Sequence, residues 1–176
     1  MLERARAGSE VAFEVVFREL APAVGGYLRL NGVSEVDELT NEVFAQVHRG
    51  LRRFTGDWGS FRSWVFTIAH HRMVDEVRRI RRRPPVTSAA VSDEAATGDV
   101  ESEALDALAD ERLHRLLSTL SDDQRQVLLL RIVADLPLEE TAATLAKSVG
   151  AVKSLQHRAL AALRRSLEQE GAGHRS

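Results

Sequence analysis

The sequence predicts an all-α fold: two small helical domains joined by a flexible acidic linker, the second containing a helix-turn-helix. Three observations lead there. Apolar residues recur at spacings of three and four through both ends of the chain, which is the period of a helix with one buried face. No stretch alternates apolar and polar residues as a half-buried strand would. Charge and aromatic rings are segregated along the chain. Residues 1–85 carry 14 arginines against 11 acids, residues 86–111 carry eight acids and no base, and residues 112–176 carry ten bases against seven acids. All nine aromatic residues fall between Phe13 and Phe66. The domains are therefore expected at 1–85 and 105–172, with the linker at 86–104.

The first domain divides at its helix signals. Ser9 can cap a helix running to about Leu30, and Asn31-Gly32 would stop it. Ser34, with Asp37 three residues on, resembles a capping box for the next helix. There Val36, Leu39, Val43, Val47, Leu51 and Phe54 form one apolar stripe. Phe54 to Ser60 holds two glycines and reads as a loop. From Phe61 to about Arg82 the apolar residues point several ways, so this helix should cross the middle of the domain. Pro84-Pro85 and the small and acidic residues after it read as linker. Its charge excludes DNA binding there and suits folding back on the two basic domains.

In the second domain, Leu105 to Leu120 reads as one amphipathic helix. Ser121-Asp-Asp-Gln124 is a capping box for a helix reaching about Ala134, which Leu136-Pro137 breaks. Leu138 to Leu145 is a short helix, Ala146-Lys147-Ser148 a tight turn, and Val149 to Glu168 a long final helix. A short helix, a three-residue turn and a basic helix describe a helix-turn-helix. On the final helix Val152, Ala159, Leu163 and Leu167 share one arc, each residue advancing about 100°. Lys153, Ser154, His157, Arg158, Arg164 and Arg165 take the other side, with Gln156 awkwardly inside the apolar arc. A surface helix with basic residues to suit its dipole would look similar; the short helix and turn before it favour DNA.

Composition narrows the function. With 44% hydrophobic and 28% charged residues the chain is globular. Its longest apolar runs fall far short of the roughly 20 residues that span a membrane, and no signal peptide pattern opens it, so a cytoplasmic protein without membrane insertion is expected. It has no cysteine, which removes thiol chemistry and Cys-based zinc sites. His70, His71 and Asp75 suggest a metal, but no third-ligand pattern supports one. No phosphate loop or nucleophile–base arrangement is present. Neither catalysis nor a cofactor is expected.

Residues Glu140 to Ser154 with His157-Arg158-Ala159, and the preceding Leu120 to Arg131, resemble the distal promoter-reading helix-turn-helix of extracytoplasmic-function sigma factors. Asp37-Glu-Leu-Thr-Asn-Glu-Val-Phe44 is similar to the family's docking segment for core RNA polymerase. Phe61 to Ala69, through Asp75 and Arg78-Arg79, is similar to its promoter-melting helix. The likeness covers both domains in order. It departs from the family at Glu38 and Asn41 (usually Asp and Gln), at His71 (often Asn), at Ala146 (often Gly) and at Leu155-Gln156 (often Arg-Leu).

The resemblance implies a promoter-specificity subunit whose partners are core RNA polymerase, promoter DNA and an anti-sigma factor. Core polymerase would meet Asp37, Glu38, Asn41, Glu42 and Phe44, with Phe44 more a packing residue than a contact. The single-stranded −10 element would meet Arg53, Phe54, Thr55, Asp57 and Trp58 in the loop, then Arg62, His71, Asp75, Arg78, Arg79 and Arg82 on the helix. An extruded base needs a stacking ring; Trp58 could supply it or could be core. The duplex −35 element would meet Lys147, Ser148, Ala151, Lys153, Ser154, His157 and Arg158. A stand-alone helix-turn-helix regulator and a helical adaptor that never touches DNA are the rival readings.

Overall fold

Residues 1–82 and 110–173 are described by the computed structural model, apart from the side chains of residues 81 and 171–173. The expected linker, with the fold-back assigned to it, and Arg83 lie outside the described residues. Those residues form α1 (Leu2–Arg6), α2 (Glu10–Leu30), α3 (Val36–Leu51), α4 (Trp58–Arg82), α5 (described over 110–118), α6 (Asp122–Ile132), α7 (Leu138–Thr144) and α8 (Val149–Gly173). Every described element is helical.

The capping chemistry explains most boundaries. Gly8 at φ +94 separates α1 from α2, and the Ser9 hydroxyl accepts from the Ala12 amide at 3.3 Å. Asn31 and Gly32, the latter at φ +84, end α2 as expected. Ser34 does not make its capping box. The N-cap is Glu35, with no side-chain cap bond, because the chain enters α3 one residue later than the spacing suggested. The loop before α4 is also shorter than expected. Asp57 Oδ1 accepts from the Ser60 amide at 2.8 Å and starts the helix at Trp58, so Trp58, Gly59 and Ser60 belong to its first turn. In the second domain Ser121 and Gln124 form the expected capping box.

Helix α4 does cross the middle of the first domain: Phe61, Val65, Phe66, Ile68, Ala69 and Met73 are buried against α2 and α3. Rings meet edge to face between Tyr27 and Phe66 (centroids 5.8 Å) and between Phe17 and Phe44 (4.8 Å). At Gly50, α3 takes the side chain of Trp64 from α4 directly against its backbone. A methyl group there would stand 2.8 and 2.9 Å from two indole carbons of Trp64, whose ring is itself stacked on Phe54 at 5.2 Å. Gly50→Ala is expected to lower unfolding stability by about 1–3 kcal/mol through overpacking, measured by urea denaturation; an unchanged midpoint would mean that Trp64 can shift without loss.

In the second domain α6 and α7 pack against α8 around Val127, Ala142, Val152 and Leu155. The domains also touch each other: α7 lies along α4, and one buried cluster continues from the first domain into Leu117, Leu120, Leu128, Leu129, Leu130 and Ala159.

Candidate nucleic-acid interface

The turn that joins α7 to α8 sets the aim of the final helix. Ala146 holds φ +51, a left-handed conformation that costs a residue with a Cβ roughly 1–2 kcal/mol. Ala146→Gly should therefore raise stability by about 1 kcal/mol, read as a higher thermal midpoint; no gain would mean the strain is offset in the native turn. Ser148 Oγ then accepts from the Ala151 amide at 3.2 Å and caps α8. Lys147 pairs with α6 at the surface, its Nζ 3.0 Å from Asp123 Oδ2.

From that start, α8 shows two different faces. Val152, Leu155 and Ala159 are buried, while Ala151, Lys153, Ser154, His157, Arg158, Arg164 and Arg165 are exposed. The face assigned from the helical period is thus open to solvent. Two details of that assignment change. Leu167 is 45% exposed and so stands outside the buried arc. Gln156 lies at the half-buried edge, and Leu155 occupies the buried position beside it.

The first domain supplies a second polar surface. Arg53, Thr55 and Asp57 are exposed in the loop, whereas Phe54 is half buried between Trp64 and Phe61, 5.4 Å from the latter. Trp58 sits between the two roles considered for it. Its ring packs 5.6 Å from Phe61, tilted by 32°, yet the residue is only half buried and borders an open cleft. The Ser60 amide and hydroxyl hold the Asp57 carboxyl below the usual carboxylate range, so the cap stays ionised at neutral pH. The Asp57-to-Ser60 spacing was legible as a cap signature before an apolar run.

Further along α4, His71, Asp75, Arg78, Arg79 and Arg82 are exposed. Arg78 reaches Asp75 at 4.0 Å, and Arg79 makes two bonds to Glu76 at 2.7 and 2.8 Å, which raise its pKa. The Arg78 pair is exposed and contributes little, whereas the Arg79 pair is bidentate to a largely buried Glu76 carboxylate and engages two of its donors. Arg62 differs, because its donors are engaged by the second domain. On α3 Asp37, Glu38, Asn41 and Glu42 are exposed in a row, and Phe44 is buried, as its packing role required.

The histidines do not converge on a metal. His70 is buried, its Nδ1 hydrogen-bonded with the Tyr27 hydroxyl at 3.0 Å, while His71 faces solvent. No group of three His, Asp or Glu side chains able to hold a metal occurs among the described residues. Burial, followed by the charge of His71, pushes the His70 pKa down to about 4. The unfolded chain therefore binds the extra proton between about pH 6.5 and 4, and stability must fall as pH falls through that window, by on the order of 3 kcal/mol in all. His70→Gln should flatten this slope in urea titrations at several pH values; an equal slope in the variant would assign it to other groups.

Fold and surfaces together define a class: a two-domain helical protein that offers a helix-turn-helix and a separate ring-bearing, arginine-rich helix. Comparison with known proteins gives the same class. Residues 16–83 match the family described as Sigma-70 region 2, and residues 116–165 match Sigma-70, region 4. The chain is 36% identical over 140 residues to ShbA of Streptomyces griseus subsp. griseus, an ECF RNA polymerase sigma factor, covering 76% of this chain and 72% of that one. It is 30% identical over 173 residues to the ECF sigma factor BldN of Streptomyces coelicolor, covering 97% of this chain but 66% of BldN. The fold matches that of RpoE from Bartonella quintana, a sigma factor solved in complex with the anti-sigma factor NepR, with a TM-score of 0.66, 19% identity and coverage of 89% and 97%. The chain belongs to the ECF sigma factors of RNA polymerase, which are not enzymes. Among its described residues no helix is long and apolar enough to cross a membrane.

Proposed function

We propose that this sigma factor docks on core RNA polymerase through Asp37, Glu38, Asn41 and Glu42, and carries the enzyme to promoters with two elements. Helix α8 reads the −35 element as duplex through Lys153, Ser154, His157 and Arg158, with Ala151 and the capped Ser148 at its entry. The loop and the start of α4 hold the single-stranded −10 element, Trp58 stacking on an extruded base and Arg78, Arg79 and Arg82 holding phosphates. The observation that carries this reading is the division of α8 into a buried apolar arc and a fully exposed basic arc behind a tight turn. Exposure of the acidic row on α3 supports docking on a basic protein surface. An anti-sigma partner is the further element of the proposal, supported by the likeness to a sigma factor solved with one.

Pull-down with core polymerase tests the docking half. The wild-type chain should be retained, and a variant with Asp37, Glu38 and Glu42 changed to Asn or Gln should be retained less, more so at low salt because exposed charges are screened over about 10 Å at 0.1 M. A chain that binds duplex DNA tightly yet never binds core polymerase would be a stand-alone regulator.

A further inference from the structure

Lysine is confined to one place in this chain. Only two of its 24 basic residues are lysines, Lys147 and Lys153, and both lie in the helix-turn-helix. Every other base is arginine, whose guanidinium stays protonated in proteins and has no lone pair to give. The two side-chain amines are held differently. The Lys147 side chain is 28% exposed, and its ammonium head is engaged by Asp123 Oδ2 at 3.0 Å. Lys153 is exposed on α8, and its amine has no ion pair or hydrogen bond among the described residues. The helix explains the difference. Val149, Gly150, Gln156 and His157 stand three and four residues from Lys153, where a helical partner would be, and none is an acid. From Ala146 to Leu167 the chain has five bases and no acid at all.

We propose that Lys153 is a modification site, acylated by an acyl phosphate, and that the acyl group weakens reading of the −35 element. This rests on the function proposed above. With acetyl phosphate as donor, the neutral amine, one proton given to solvent, attacks the carbonyl carbon. A C–N bond forms, the C–O bond to the phosphate breaks, and hydrogen phosphate departs with the second proton that the nitrogen releases. The donor is an anion, and the acid-free run around Lys153 attracts it as it would attract a DNA phosphate. The product is a neutral amide with a single N–H in place of a charged group with three. A phosphate or guanine edge opposite Lys153 thereby loses a charge-assisted partner. The effect is one-sided. Residues 1–85 contain no lysine, so the acidic row of α3 and the ring-bearing loop offer the donor no side-chain amine. An acylated chain therefore still docks on core polymerase but holds the distal element more weakly.

The test uses the full chain, treated with acetyl phosphate and then separated from the reagent. Peptide mass spectrometry should find the acetyl group on Lys153 at several times its occupancy on Lys147. The DNA probe is duplex selected from a random library by the untreated chain. The acetylated chain should bind this probe about five- to 150-fold more weakly, the span of one good side-chain–base pairing, with retention on core polymerase unchanged. A Lys153→Arg chain keeps the charge without an acylatable amine, and its affinity for the probe should be the same before and after treatment. An equal loss in Lys153→Arg would place the effect at another amine and overturn the proposal. So would equal or greater occupancy at Lys147, or undiminished binding by chain acetylated at Lys153. If the untreated chain selects no duplex at all, the −35 reading proposed above fails and the modification switch falls with it. A chain that selects duplex but is indifferent to acetylation loses only the switch.

Discussion

Lys153→Ala and Arg158→Ala should each weaken binding of −35 duplex by about 1–3 kcal/mol, which is the span of one good side-chain–base pairing. Both side chains are exposed on α8, outside the arc of buried residues Val152, Leu155 and Ala159 that aim the helix. Removing either head group should accordingly leave stability unchanged within about 0.5 kcal/mol, as surface substitutions do. The pattern of loss carries the information. If these residues read bases, the loss depends on the base pair opposite and sequence preference relaxes there. If they hold phosphates, the loss is uniform and the salt dependence becomes shallower by about one contact. No loss with either variant would remove α8 from the DNA interface.

Trp58→Ala should impair promoter opening while leaving retention on core polymerase intact. Loss of one base–ring stack costs about 1–3 kcal/mol, or roughly five- to 150-fold in the opening equilibrium. The half-buried position of Trp58 makes a control necessary, since its ring also packs on Phe61 at 5.6 Å. Trp58→Phe keeps an aromatic face and should recover much of the opening. A variant whose only defect is a lower melting temperature would place the ring in the core and leave base capture to another side chain.

The sequence was most informative where one physical cause acts alone. Ser121 and Gln124 formed their capping box because both partners and the spacing are local, and the turn before α8 was legible from Ala146-Lys147-Ser148 although its strain was not. The stripe on α3 from Leu39 to Leu51 is buried as its period requires. Failures came where several causes compete. Ser34 has the right residue type for a cap, but the chain enters α3 from Glu35. The Phe54-to-Ser60 segment looked like one loop because of its glycines, while the Asp57 cap starts α4 inside it. The exposed polar arc of α8 was legible because a helix has a fixed period. The engagement of Arg62 by Val133 and Ala134 was not, because it joins residues 71 and 72 positions apart, and nothing local in either segment reports it. The pairing of Lys147 with Asp123 was hidden for the same reason.

The most direct test of the whole reading is run-off transcription with purified core polymerase on a library of promoter fragments. Core polymerase alone should give only background, and addition of the chain should give discrete transcripts from fragments sharing two elements. Those transcripts should disappear with Trp58→Ala and shift in −35 preference with Lys153→Ala or Arg158→Ala. Background transcription in the presence of the folded, full-length chain would contradict it.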